Sequence, residues 1–250
     1  MSDDLAVSPR RTRLALLHHS RRSLLLAPLA MAAGCASVRP ERDAEQARID
    51  GQGWHAVPLP GKAQTQYRWV QKDGRRSIAA SADRSASMWR RRVDVPAAQL
   101  DKASFSWRVD RLIDGASVAD VDREDAPARV MFAFAGDVAR LSMRTRMMFE
   151  LAHALTGEAP PYATLMYVWE GKEPVGSLVV NPRTDRVRKI VLDSGSSRLG
   201  QWRQHRRDLV GDFRRAFNEE PGALVAIAVM TDADNTRSQA EAWYGPIELG

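Results

Sequence analysis

Tyr67-Arg68-Trp69-Val70-Gln71-Lys72 runs into Asp73-Gly74 and on to Ser77-Ile78-Ala79-Ala80. Asp-Gly between two runs of strand formers is a strong short-range hairpin signal, because both central residues of the tight turn need left-handed backbone. Further along, Ser104-Phe105-Ser106-Trp107-Arg108-Val109 alternates cleanly and puts Phe105, Trp107 and Val109 on one face, as a half-buried strand requires. Met88 to Val95 alternates and stops at Pro96. Val130 to Ala135 is nearly continuous apolar, like a strand buried on both faces. Thr164–Trp169, Ser177–Val180, Val187–Leu192, Leu224–Met230 and Ala242–Leu249 complete about ten short strands separated by turn signals.

Two segments break this pattern. Leu141 to Leu155 holds good helix formers and ends before Gly157 and Pro160-Pro161. Gln204 to Phe217 sets Leu209, Val210, Phe213, Ala216 and Phe217 against arginines, an amphipathic helix. Many strands with one or two helices predict a mainly β fold, an antiparallel β-sandwich of jelly-roll-like form, rather than a doubly wound sheet.

The first 34 residues have a different texture. Arg10, Arg11, Arg13, Arg21 and Arg22 precede the apolar run Leu24 to Met31, and Ala32-Ala33-Gly34 leads into Cys35, the only cysteine. Basic, apolar and small residues in that order are the layout of an export signal. The apolar run is too short to span a bilayer, which takes about 20 residues. Ala32-Ala33-Gly34-Cys35 resembles the lipobox of bacterial lipoproteins, and Ser20-Arg21-Arg22-Ser23-Leu24-Leu25 resembles the twin-arginine export motif. These resemblances imply cleavage after residue 34, lipid on Cys35 and a periplasmic, membrane-anchored address. Residues 35–53, polar and alanine-rich, then read as a tether, and 54–250 as a single sandwich domain.

Removing residues 1–34 takes away five arginines and Asp3 and Asp4, so a net charge of +6 falls to +3. That leaves little reason to expect a nucleic-acid partner. The remaining chain has no cysteine beyond Cys35 and needs no disulfide at this length.

No GxSxG, HExxH, CxxC or phosphate-loop motif occurs after the signal. His55, His153 and His205 have no metal-ligand spacing. Asp193-Ser194-Gly195 follows a strand, but adjacent Asp and Ser make no triad without a placed histidine. Thr231-Asp232-Ala233-Asp234-Asn235-Thr236 concentrates hard oxygen donors of the type calcium takes, so Asp232, Asp234 and Asn235 are the candidate ligands for a structural Ca2+. The loop departs from the EF-hand pattern, and its first reading is a polar hairpin turn whose Asp and Asn side chains bond their own backbone. Asp122 and Asp125 sit in a second acidic stretch and offer carboxylates for acid/base work on a sugar. Seven tryptophans are spread over the domain. Trp169, beside Glu170-Gly171, and Trp243, followed by Tyr244 near the Asp232 loop, are candidates for stacking on a ligand. Asp125 and Arg129 are candidates for its polar contacts.

Leu59-Pro60-Gly61-Lys62, Ser106-Trp107-Arg108-Val109, Tyr167-Val168-Trp169, and above all Ala226 through Thr236 followed by Trp243-Tyr244-Gly245-Pro246-Ile247 resemble an uncharacterised bacterial family, the domain of unknown function numbered 3047. Pro246 stands where the family pattern has Asp. The resemblance covers most of the chain from Trp54 onward and implies an exported β-rich domain similar to carbohydrate-binding jelly rolls, with no catalytic residue to carry over. The expected function is a non-catalytic, lipid-anchored module that binds a glycan or another envelope ligand. The alternatives are a carboxylate-dependent hydrolase on the same scaffold and a structural lipoprotein that binds another protein.

Overall fold

Asp73 and Gly74 make the expected turn. Both take left-handed backbone, φ 52° and 73°, and they join β2 (Gln66–Lys72) to β3 (Arg75–Asp83) with Lys72 opposite Arg75. In the computed structural model, which describes residues 53–250, this hairpin belongs to one of two facing sheets. The six-stranded sheet runs β10 (Arg203–Asp208), β5 (Lys102–Val109), β12 (Gln239–Tyr244), β3, β2, with β13 (Glu248–Leu249) also on β5. The seven-stranded sheet runs β1 (Trp54–Pro58), β4 (Ala86–Val95), β11 (Leu224–Asp232), β6 (Ala126–Phe134), β7 (Ala163–Glu170), β9 (Val187–Ser194), β8 (Leu178–Val180). Every pairing is antiparallel except β7 with β9. Each sheet has near its centre a strand from the end of the chain: β11 lies between β4 and β6, and β12 between β5 and β3.

The core lies between the sheets. Phe105, Trp107 and Val109 point into it, as their alternation requires, and all are buried. They meet Phe132, Tyr167 and Trp169 of the other sheet, with Phe105 stacked on Tyr167 at 5.6 Å and Trp107 tilted on Trp169 at 6.4 Å. Rings of this size dominate the burial energy of a core, at roughly 2–3 kcal/mol each. The buried Tyr244 hydroxyl donates to the Met230 carbonyl at 2.7 Å and accepts from the Arg129 amide at 3.2 Å, so its polarity costs little there.

The two helices differ in how they are held. α1 (Met143–Thr156) is capped by Ser142, which accepts from the Thr145 amide, and stops at left-handed Gly157. α2 (Leu209–Phe217) is capped by Asp208 and buries Leu209, Phe213, Ala216 and Phe217 against the end of the sandwich, with Phe213 4.8 Å from Phe134. The helix expected from Gln204 therefore begins five residues later. Arg203 to Asp208 form β10, alternating half-buried and exposed side chains along the edge beside β5. The expected final strand is also split, because Gly245-Pro246 separates β12 from β13.

Candidate functional site

The outer face of the seven-stranded sheet, away from the core, has two halves. Residues 110–125 fold over one half, where Val118 packs on Ala126, Met166, Val168 and Val191. Beneath that cover lies a network of buried charges. Arg129 of β6 reaches across to Asp232 of β11 with Nε to Oδ1 at 3.0 Å and Nη2 to Oδ2 at 2.8 Å, and Nη2 also donates to the Glu124 carbonyl at 2.7 Å. Lys189 of β9, fully buried, donates to Glu124 Oε1 and to the Val118 carbonyl, both at 2.6 Å. Arg183 Nη1 and Asn181 Nδ2 complete the shell of Glu124 at 2.7 and 2.8 Å. Burial pushes Asp232 up to about 7 against the pull of Arg129. Burial and the neighbouring Arg129 push Lys189 down to about 8.

Asp125 and Asp234 complete the acidic part of this cluster. Oxygens of Asp125, Asp232 and Asp234 lie within 4.8 Å of one another. Asp125 accepts from the Asn235 amide at 3.2 Å and from the Thr236 amide and hydroxyl at 2.7 and 2.6 Å. Asp234 pairs with Lys62. The Asn235 side chain donates to the Val121 carbonyl at 3.0 Å. The three carboxylates thus bond to two cations, Arg129 and Lys62, and to the amides of Asn235, Thr236 and Ala126, the last on Asp232 Oδ1 at 3.1 Å, so a calcium ion at Asp232, Asp234 and Asn235 would have to displace one of those cations. The segment is the polar turn between β11 and β12, closed by Ser238 N on the Ala233 carbonyl at 2.9 Å. Asp125 and Asp232 each accept three hydrogen bonds and are buried beneath the loop.

The structure therefore brings Asp125, Arg129, Asp232, Asp234 and Asn235 together, but as a buried clasp between a loop and the sheet. Trp169 and Tyr244, expected to touch ligand, point the other way. Both are 0 % exposed in the core, and the Trp169 indole donates to the Gly195 carbonyl at 3.2 Å. Trp243 lies on the outer face of the six-stranded sheet, with the Lys72 ammonium 3.9 Å over its ring. Cys35 lies outside the described residues. Asp193, which the sequence sets at the end of a strand, is buried at the end of β9. It accepts from the Trp107 indole at 2.7 Å, Arg203 Nε at 2.8 Å and His205 Nε2 at 2.8 Å. Burial opposes its charge, but these donors outweigh that cost and hold it below the usual carboxylate range. Among the described residues no serine hydroxyl bonds to His205, so this is a brace between β9 and β10 rather than a triad.

The other half of the outer face is open. Met88 (β4), Met131 and Ala133 (β6), and Ala226 and Ala228 (β11) form an aliphatic floor, with Pro161 at its side. The alanines keep this floor low, and the cavity above it measures about 360 Å³. Arg90 and Arg92 stand at its edge and share Glu158, each Nη2 2.8 Å from a carboxylate oxygen. Those bonds, that of Arg90 first, hold Glu158 below the usual range although it is half in solvent. The depression continues between α1 and β1 as a second cavity of about 830 Å³, lined by Val57, Pro58, Ala152 and Leu155. Sequence reasoning missed this groove. The available hint was the alternation of Ala226 and Ala228 with Ile227 and Val229, which gives β11 a small-residue face.

Among solved structures, the family 11 carbohydrate-binding module of a cellulosomal cellulase of Clostridium thermocellum is similar at 13 % identity, with 79 % of this chain and 86 % of that chain covered and a TM-score of 0.38. A cellulase derived from that of Rhodothermus marinus is similar at 12 % identity, covering 80 % and 92 %, with a TM-score of 0.43. The xyloglucanase domain of a Sinorhizobium fredii effector is similar at 8 % identity, covering 79 % and 92 %, with a TM-score of 0.39. Likeness at this level says nothing of what this chain binds. No curated protein matches the chain. Residues 52–248, nearly all of the described sandwich, match the model of the family described as "Protein of unknown function (DUF3047)", and the chain belongs to that family.

Proposed function

We propose that this protein is a non-catalytic binding module of the bacterial envelope, tethered through lipid on Cys35, and that its ligand is a glycan lying in the groove over Met88, Met131 and Ala228. The observation that carries the reading is the groove's composition. It has an open apolar floor for sugar C–H faces and one polar cluster, Arg90–Glu158–Arg92, whose donors and acceptors suit hydroxyl and acidic groups. Among the described residues Glu158 is the only carboxylate lining it. Glycoside hydrolysis ordinarily needs a pair flanking the bond, so binding without turnover is the better fit.

Isothermal titration of the protein with envelope polysaccharides tests this. Binding is expected to fall about tenfold in Arg90→Ala or Arg92→Ala and to persist in Trp243→Ala, with no release of shorter sugars. Binding that survives both arginine variants, or measurable turnover, overturns the reading. Labelled palmitate incorporated by the parent and lost in Cys35→Ala tests the tether separately.

A further inference from the structure

Helix α1 is apolar on two sides. Thr145, Phe149 and Ala152 turn toward the domain, and among these only Thr145 is fully buried. Away from it Met143, Met147, Leu151 and Leu155 recur every fourth residue and are 67, 62, 60 and 67 % exposed. Residues four apart share one face of a helix. These four side chains therefore form a continuous stripe over three turns, about 18 Å long. Single exposed apolar residues are ordinary, but a helix apolar on both sides is normally covered on both.

The surroundings of the stripe indicate what covers it. Exposed Arg140 and Arg144 and half-buried Arg146 lie at its N-terminal end, against Asp137 just before them and Glu150 later in the helix. An anionic surface would complement this charge. The Leu155 end opens on the groove wall formed by His55, Ala56 and Val57, the strand at which the chain enters the domain. Seventeen residues separate Cys35 from Gly53, a reach of about 60 Å when extended. A lipid on Cys35 would therefore keep a bilayer within range of this face.

We propose that the Met143-Met147-Leu151-Leu155 stripe docks on the surface of an anionic lipid bilayer, with its side chains at the acyl boundary and Arg140, Arg144 and Arg146 among the phosphates. The tether governs only how close the bilayer is, so the test dispenses with it. The full chain carrying Cys35→Ala has no thiol, and a single nitroxide label is placed at Leu151→Cys or, as a control on the six-stranded sheet, at exposed Arg68→Cys. With vesicles of three parts phosphatidylethanolamine to one part phosphatidylglycerol, the Leu151 label is expected to become accessible to oxygen and shielded from a nickel chelate. The Arg68 label should stay accessible to nickel.

Because residues 1–34 are themselves basic and apolar, vesicle co-sedimentation is read as a difference between variants. Met143→Ser/Met147→Ser/Leu151→Ser/Leu155→Ser, with its fold checked by circular dichroism, is expected to bind about tenfold less. A Leu151 label equally open to nickel with and without vesicles overturns the proposal. So does a label already buried without vesicles in a dimer detected by sedimentation, which would assign the stripe to a second copy. A parent protein that takes up no labelled palmitate in cells, or a Cys35→Ala variant that still does, would sink the tether and leave this result standing.

Discussion

Arg129 and Asp232 meet across the adjacent strands β6 and β11 through two parallel hydrogen bonds of 3.0 and 2.8 Å, with side chains only 3 and 5 % exposed. Removing one member of such a pair strands the other charge out of water, at a cost of about 3–5 kcal/mol. Asp232→Ala and Arg129→Ala are each expected to lower the free energy of urea unfolding by about that amount. Replacing both, as Arg129→Met/Asp232→Leu, should cost much less, because no charge is left unpaired. A double variant as damaged as the sum of the singles would show that the two residues act independently.

Asp193 makes stability depend on acid. Its folded pKa lies below the ordinary value, so its contribution is fully present above about pH 4. It is lost as the pH falls through the folded value. Thermal melts of Asp193→Asn should lie well below the parent at pH 7 and converge on it toward pH 2. At neutral pH the deficit should be about 2 kcal/mol, for hydrogen bonds to a charged acceptor. A constant gap across the whole pH range would contradict this.

Gly222 lies against the chain of Ala135. A Cβ there would come within 2.1 Å of the Ala135 carbonyl oxygen, a backbone atom that cannot swing aside. Gly222→Ala is expected to cost about 1–3 kcal/mol. Gly171→Ala, where a Cβ meets nothing within 4 Å, should be near neutral in the same thermal denaturation assay.

Trp169→Ala is expected to destabilise by about 3–5 kcal/mol, since the indole is a fully buried core side chain. The milder Trp169→Phe should stay folded and leave titration with polysaccharide unchanged, because the ring faces away from the groove. A change in affinity with Trp169→Phe at unchanged fold would put the ligand elsewhere.

The parts of the fold that can be read from sequence are those with local causes. Asp73-Gly74 dictates a turn by backbone conformation, and Phe105, Trp107 and Val109 dictate a strand face by period. The strand β10 was hidden because Arg203 to Asp208 is wholly polar and charged, so its period carries no hydrophobic signal, and the true helix start is marked only by the Asp208 cap. The gathering of Asp125, Arg129, Asp232 and Asp234 followed from their strands being neighbours. Their sequestration did not, because it depends on a loop folding over one half of a sheet. The groove was invisible for the complementary reason: Met131, Ala133, Ala226 and Ala228 are core-like residue types, and only the lack of cover makes them a floor.

The positions of β11 and β12 bear on how the molecule comes to exist. A chain growing from its N-terminus has synthesised β4 and β6 long before the strand that must sit between them, and the same holds for β3 and β5. Until residues 224–244 leave the ribosome, each sheet is two halves with two raw inner edges, β4 and β6 in one and β5 and β3 in the other. Folding of the sandwich must then wait for residues 224–244, and a truncation after Pro221 would remove the seam of both layers rather than trim an end. Between residues 53 and 223 neither layer can close, so the sandwich exists either as an open chain or wholly finished.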